Sequence, residues 1–137
     1  MVWRLHKENV PHDVGDGPWD DDLRDVGGAY LDARGEFLAA EVEGAVVAMG
    51  AVRGLDDERA EVKRIRVDPA YRRRGLGEAI LRGLQARARE LGYGKLVLDT
   101  AADAEAAQRL FEKLGYQRTG VTVLAGIDTL LYEKELD

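Results

Sequence analysis

Three arginines run directly into a glycine-x-glycine at Arg72, Arg73, Arg74, Gly75, Leu76 and Gly77. The stretch that follows, residues 75–91, has apolar residues at 76, 80, 81, 84, 88 and 91, a helical stripe over four turns. A helix opening exposes backbone N–H groups without internal acceptors, and its dipole adds partial positive charge there. Glycine permits unusual dihedrals and close approach to the backbone, so the arrangement suits a phosphate or pyrophosphate. The setting sharpens the point. Of the twelve residues 63–74, six are Lys or Arg and only Asp68 is acidic, in a chain of formal net charge -6. The stretch is not a P-loop, because Ile80 stands where the second glycine and its lysine would be needed. Nor is it a dinucleotide fingerprint: Gly75-x-Gly77 is followed at the third position by Ile80, and seven residues separate the preceding strand from Gly75.

The elements that must position this segment follow from periodicity. Residues 1–18 hold all but one of the three prolines and read as loop, with a short strand at 2–5. Residues 19–30 read as a short helix opening on Asp20, Asp21 and Asp22. Residues 36–43 and 45–53 form two strands around Glu43-Gly44, a hairpin, and 55–59 is a polar turn. Residues 60–67 make a third strand. Strict alternation sets Val62, Arg64 and Arg66 on one face and Glu61, Lys63, Ile65 and Val67 on the other. The helix over 75–91 ends at Gly92–Gly94, and 95–100 is a strand. A second helix spans 104–114, with Ala107, Leu110, Phe111 and Leu114 on one face and Gly115 as its left-handed cap. Strands at 118–124 and 129–135 complete the chain. Helices between strands imply a partly parallel sheet, and the hairpins imply antiparallel edges. The expected fold is a mixed α/β sheet flanked by helices, in one domain over residues 1–137.

Composition narrows the chemistry. The chain has no cysteine, which excludes disulfides, thiolate metal sites and a cysteine nucleophile, and its two histidines are too poorly spaced for a zinc site. No metal is expected. The longest run without a charged or strongly polar residue is residues 45–52, far short of the ~20 needed to span a bilayer. The N-terminal stretch is charged and does not read as a signal peptide. The expectation is therefore a soluble cytoplasmic protein without a membrane partner. Net acidity and only two phenylalanines argue against a nucleic-acid-binding module.

The segment "VDPAYRRRGLGEAIL" resembles the Arg/Gln-x-x-Gly-x-Gly/Ala signature of the GNAT family of acetyl-CoA-dependent acyltransferases, filled by Arg72, Gly75 and Gly77. Downstream, "AAQRLFEKLGYQRTG" is similar to that family's second helix and turn, and the strand "AEVKRIRV" and the upstream hairpin stand in family order. The likeness covers about residues 36–137 and extends more weakly over 19–30. It implies a GNAT-like fold in which the strands at 61–67 and 95–100 splay to admit the pantetheine arm. Backbone N–H groups from Arg73 through Leu76 to Gly77 would hold the pyrophosphate. A backbone N–H by Arg66 and Val67 would polarise the thioester carbonyl. An amine acceptor would then attack directly, with no acyl-enzyme.

Two departures stand out: Ala104 where the family often has Asn, and Phe111 where it often has the tyrosine that protonates the departing thiolate. Phe111 is retained as a cofactor-lining residue and the acid is left unassigned. Glu61, eleven residues before Arg72, matches a strand position where some members carry a catalytic glutamate. It reads either as the base for an ammonium acceptor or as a strand carboxylate paired with a neighbouring cation. Tyr116 reads either as a hydroxyl donor or, following Gly115, as a core residue, with the core reading favoured; Tyr30 and Tyr132 are open in the same way. Asp20 to Asp22, Glu41, Trp3 and Trp19 could face an acceptor, or could simply be surface and core. The expected function is acetyl transfer from acetyl-CoA to a primary amine of a small molecule or peptide. A catalytically weak acyl-CoA-binding sensor or scaffold is the alternative. The C-terminal strands could pair across a homodimer.

Overall fold

The computed structural model describes residues 2–4, 34–42, 45–72 and 75–136. The helix expected at 19–30, the loop at 5–18, the Glu43-Gly44 turn and Arg73 and Arg74 lie outside them. The described strands are β1 (Val2–Arg4), β2 (Glu36–Val42), β3 (Ala45–Gly54), β4 (Arg59–Val67), β5 (Lys95–Ala101), β6 (Gln117–Leu124) and β7 (Ile127–Glu135). Helix α1 (Leu76–Glu90) joins β4 to β5, and α2 (Glu105–Lys113) follows β5. They form one sheet in the order β1-β2-β3-β4-β5-β7-β6. Every neighbouring pair is antiparallel except β4–β5. A parallel neighbour needs a long crossover, and α1 supplies it.

The apolar stripe seen in the sequence is what seats α1. Ile80, Leu81, Leu84 and Ala88 are fully buried, and each large apolar side chain so removed from water contributes roughly 1.5–3 kcal/mol. The helix lies close on the sheet because β3 offers it Gly50. A Cβ there would stand 2.5 Å from Ile80 Cγ2 and 3.3 Å from Ile65 Cγ1. Both helices close in the same way. After α1, Gly92 N–H donates to Arg89 O and Tyr93 N–H to Ala88 O; after α2, Gly115 donates to Glu112 O and Tyr116 to Phe111 O. This is the Schellman arrangement, and Gly92 and Gly115 supply its left-handed φ of 93° and 92°.

One expectation about β4 is corrected. Between Ala48↔Val67 and Val52↔Val62, β3 advances four residues while β4 advances five. The extra residue is a β-bulge, which reverses the alternation beyond it. Ile65 therefore turns to the α1 side, beside Gly50, and Val67 approaches the position of Gly77. They share the face of Ala60 and Val62 rather than that of Glu61 and Lys63. The strands at the C-terminus also begin earlier than periodicity suggests, at Gln117 and Ile127, with Ala125 and Gly126 forming the turn.

Candidate active site

The parallel junction sets the site. β4 and β5 pair at Arg59↔Lys95, Ala60↔Leu96 and Glu61↔Val97, and no further. Both strands run on, to Val67 and Ala101, so beyond Glu61 they diverge. The expected splay is present. The fork opens into a cleft of about 590 Å³. Its β4 wall carries Glu61, Lys63 and Arg66, its β5 wall Leu98, Asp99 and Thr100, and α2 contributes Leu110 and Phe111. Arg53 of β3 and Leu124 at the end of β6 also line it.

Beyond the wide end of β4, a short 3-10 turn at Pro69–Tyr71 redirects the chain toward α1. Asp68 caps it, its Oδ1 accepting from Ala70 N–H at 2.9 Å, while its own N–H donates to Val47 O at 2.8 Å. Arg72 Nε reaches back to Val67 O at 3.4 Å, which ties the signature arginine to the end of β4. Gly75 is the N-cap of α1, with φ 78° and no side chain to accept from the first-turn N–H groups. Such donors suit an outside acceptor, and a Cβ at Gly75 would meet no atom of the described residues within 4 Å, its chain neighbours aside. The need for glycine at 75 is thus conformational first. Gly77 differs: it is helical, and a Cβ would make ordinary contacts with Leu110 and Val67 at 3.6 and 3.7 Å. Glu78, in the same first turn, is neutralised from two sides, by Lys113 Nζ at 2.7 Å and Arg82 Nε at 3.1 Å. The Lys113 contact, then that of Arg82, holds its carboxyl below the usual carboxylate range.

Glu61 stands at the fork itself. Its Oε1 is buried and accepts no hydrogen bond among the described residues, and the cation beside it is Arg53 Nη2 at 3.4 Å. Both of its readings therefore meet in one place: the carboxylate is ion-paired, and it lines the cleft. Phe111 is buried, with its ring edge-on to Tyr132 at 5.6 Å and tilted to Tyr116 at 6.1 Å. The hydroxyls of Tyr116 and Tyr132 are buried without hydrogen-bond partners among the described residues. Burial pushes the Tyr116 phenol far above its ordinary value, so it is a poor proton donor.

Of the residues read from the sequence, Glu61, Arg66 and Phe111 are brought together in the cleft, and Val67, Arg72, Gly75, Leu76 and Gly77 line the approach from β4 to α1. Arg73 and Arg74 are outside the described residues, as are the side chains of Trp3 and Glu41. The sequence reading passed over Lys63, Asp99 and Arg53. The signal was there for Lys63, which shares the Glu61 face by simple alternation. Among the described residues no cluster of His, Asp and Glu could hold a metal ion, and no helix is long and apolar enough to cross a membrane.

The family model described as "Acetyltransferase (GNAT) family" matches residues 1–116. N-acetyltransferase 8 of Homo sapiens is 34% identical over 105 residues, covering 72% of this chain and 46% of that protein. The N-acetylaspartate synthetase of Xenopus tropicalis is 33% identical over 118 residues, covering 82% of this chain and 44% of its own length. The chain spans about half the length of the curated relatives it matches. A GNAT family acetyltransferase of Elizabethkingia anophelis, solved with acetyl-CoA bound, superposes with a TM-score of 0.78 at 21% identity, covering 99% of this chain and 97% of that one. The splayed parallel junction, the left-handed glycine opening α1 and the match along most of the sequence agree: the chain belongs to the GNAT acetyltransferase family.

Proposed function

We propose that the protein transfers an acetyl group from acetyl-CoA to a primary amine of a small molecule or peptide. The observation that carries this reading is the alignment of fork and helix: the gap between β4 and β5 leads to an α1 N-terminus whose donors have no side-chain cap. A long, thin ligand with a phosphate at one end and a reactive carbonyl at the other matches both features. The residues present fit such a group, since Gly75 leaves open the space a Cβ would fill and the first turn's acidic residue is already neutralised. Structures of the same fold are solved with acetyl-CoA bound, which supports the assignment.

Acetyl-CoA supplies an acetyl group activated as a thioester. The N–H groups of Gly75, Leu76 and Gly77 hold the phosphate end, with Arg72 adding charge from the loop. A backbone N–H at the end of β4, by Arg66 and Val67, donates toward the carbonyl oxygen as negative charge develops there. Glu61 takes a proton from the acceptor's ammonium, directly or through water, so that a free nitrogen lone pair attacks the carbonyl carbon. The C–N bond forms as the C–S bond breaks, and the proton shed by the nitrogen ends on the sulfur. Direct attack needs no enzyme nucleophile, in keeping with a chain without cysteine.

A screen of amines, amino acids, polyamines and peptides with acetyl-CoA, read by thiol release, tests this. Transfer to at least one amine is expected. CoA-dependent thermal stabilisation without transfer to any of them would favour a CoA-binding sensor instead. We also propose a homodimer through the β6–β7 edge, where Val121, Val123 and Leu124 of β6 and Ile127 of β7 are exposed. Light scattering on the wild type and a Val121→Lys, Val123→Glu variant tests it, with a monomeric wild type as the contrary result.

A further inference from the structure

We propose that the acceptor is a zwitterion, an amine bearing its own carboxylate, held between Lys63 and Asp99; this rests on the N-acetyltransferase reading. The argument begins with strand register. β4 and β5 pair in parallel up to Glu61↔Val97. Two residues on, the same register would set Lys63 beside Asp99, both on the face that carries Glu61. In a closed sheet, opposite charges so placed form a cross-strand ion pair. The strands part just before that rung. Lys63 and Asp99 both line the cleft, and neither has an ion-pair or hydrogen-bond partner among the described residues.

The fork thus has a positive jaw on β4 and a negative jaw on β5, drawn apart by the splay. Of the other cations on the cleft wall, Arg53 is engaged with Glu61, and Arg66 also has an interaction of its own. A ligand with a single charge satisfies one jaw and leaves the other unanswered. A polyamine would bring a second positive charge toward Lys63, which selects against it. An amino-acid-like acceptor answers both: its carboxylate meets the Lys63 ammonium, and its own ammonium meets Asp99. That orientation brings the nitrogen to the face of Glu61, where the proton must leave. The transfer chemistry is unchanged; the jaws choose which amine is presented to it.

The test is a matched series with acetyl-CoA: several α-amino acids, the amide of each, and the corresponding amine without the carboxyl group. The wild type should show kcat/KM for the acids at least about tenfold above the amides, the scale of one charged hydrogen bond. Lys63→Gln should abolish that preference by raising KM for the acids, and Lys63→Arg should largely restore it. Asp99→Asn should lower kcat/KM across all three members of a set, since each carries the ammonium. Melting curves with acetyl-CoA establish that every variant is folded and binds the donor. Amides or simple amines used as well as the acids would overturn the proposal, as would a Lys63→Gln variant that keeps the wild-type preference. No transfer to any member, with CoA stabilisation intact, would overturn the transferase reading itself and the proposal with it.

Discussion

Gly75 combines two roles that substitution can separate. Its φ of 78° lies in the left-handed region, and an added Cβ would meet nothing within 4 Å among the described residues beyond its chain neighbours. Gly75→Ala therefore introduces backbone strain without a clash. An L-residue held left-handed costs about 1–2 kcal/mol, so the apo protein should lose roughly that much stability. For a domain of this size the melting temperature should fall by roughly 3–10 °C. Gly75→Val adds a β-branched side chain, with more strain and with bulk projecting where a phosphate would approach the first-turn N–H groups. In the wild type, CoA at a hundredfold its Kd should add about 2.7 kcal/mol by mass action. Thermal melts over a CoA titration measure both quantities on the same samples. The expected pattern is a destabilised alanine variant, and a valine variant that is further destabilised and no longer responds to CoA. An alanine variant melting with the wild type would refute the conformational argument. A folded valine variant with the full CoA-dependent shift would refute the phosphate cradle.

Other expectations are independent of that one. Glu61→Gln should slow acetyl transfer mainly near neutral pH and much less at high pH, where the amine is already unprotonated, as a pH–rate profile will show. Phe111→Tyr places a hydroxyl on the cleft wall where the family often carries its acid; if thiolate departure limits the rate, single-turnover transfer should accelerate, and no change with any acceptor would refute that limit. The Glu78 carboxyl has its folded pKa lowered by Lys113 and Arg82. Its contribution to stability is therefore complete above the unfolded pKa, the ordinary glutamate value, and is lost as pH falls through the folded value. Glu78→Gln should flatten the acid side of the stability profile, measurable by denaturation between roughly pH 2 and 6.

The parts legible in the sequence are those whose cause is local. The stripe from Leu76 to Ala88 reads as a helix because period 3.6 and burial coincide, and Gly115 reads as a cap because its left-handed φ closes the last turn of α2. The glycine at 75 likewise marked where a left-handed residue opens α1. The bulge in β4 could not be read this way. Nothing in "AEVKRIRV" announces the extra residue, which shows itself only in the register against β3, and strict alternation put Ile65 and Val67 on the wrong face. Lys63 and Asp99 were invisible as a pair because they belong to different strands of a parallel junction. Their relation exists only once the register is known and the pairing is seen to stop at Glu61↔Val97. The buried hydroxyls of Tyr116 and Tyr132 were equally beyond reach, since burial without a partner is a property of packing.

The short parallel junction also makes the sheet two leaves on a narrow spine. Three residue pairs join β4 to β5, whereas seven join β2 to β3 and seven join β5 to β7. Each leaf is antiparallel and braced within itself. Cooperative opening follows the thinnest bracing, so the spine is where one leaf loosens from the other without either melting. The place that admits a ligand is then also the mechanical seam of the molecule. Whatever lodges there clamps the leaves together, and amide exchange should slow on both sides at once, including on β2, which contributes no residue to the cleft.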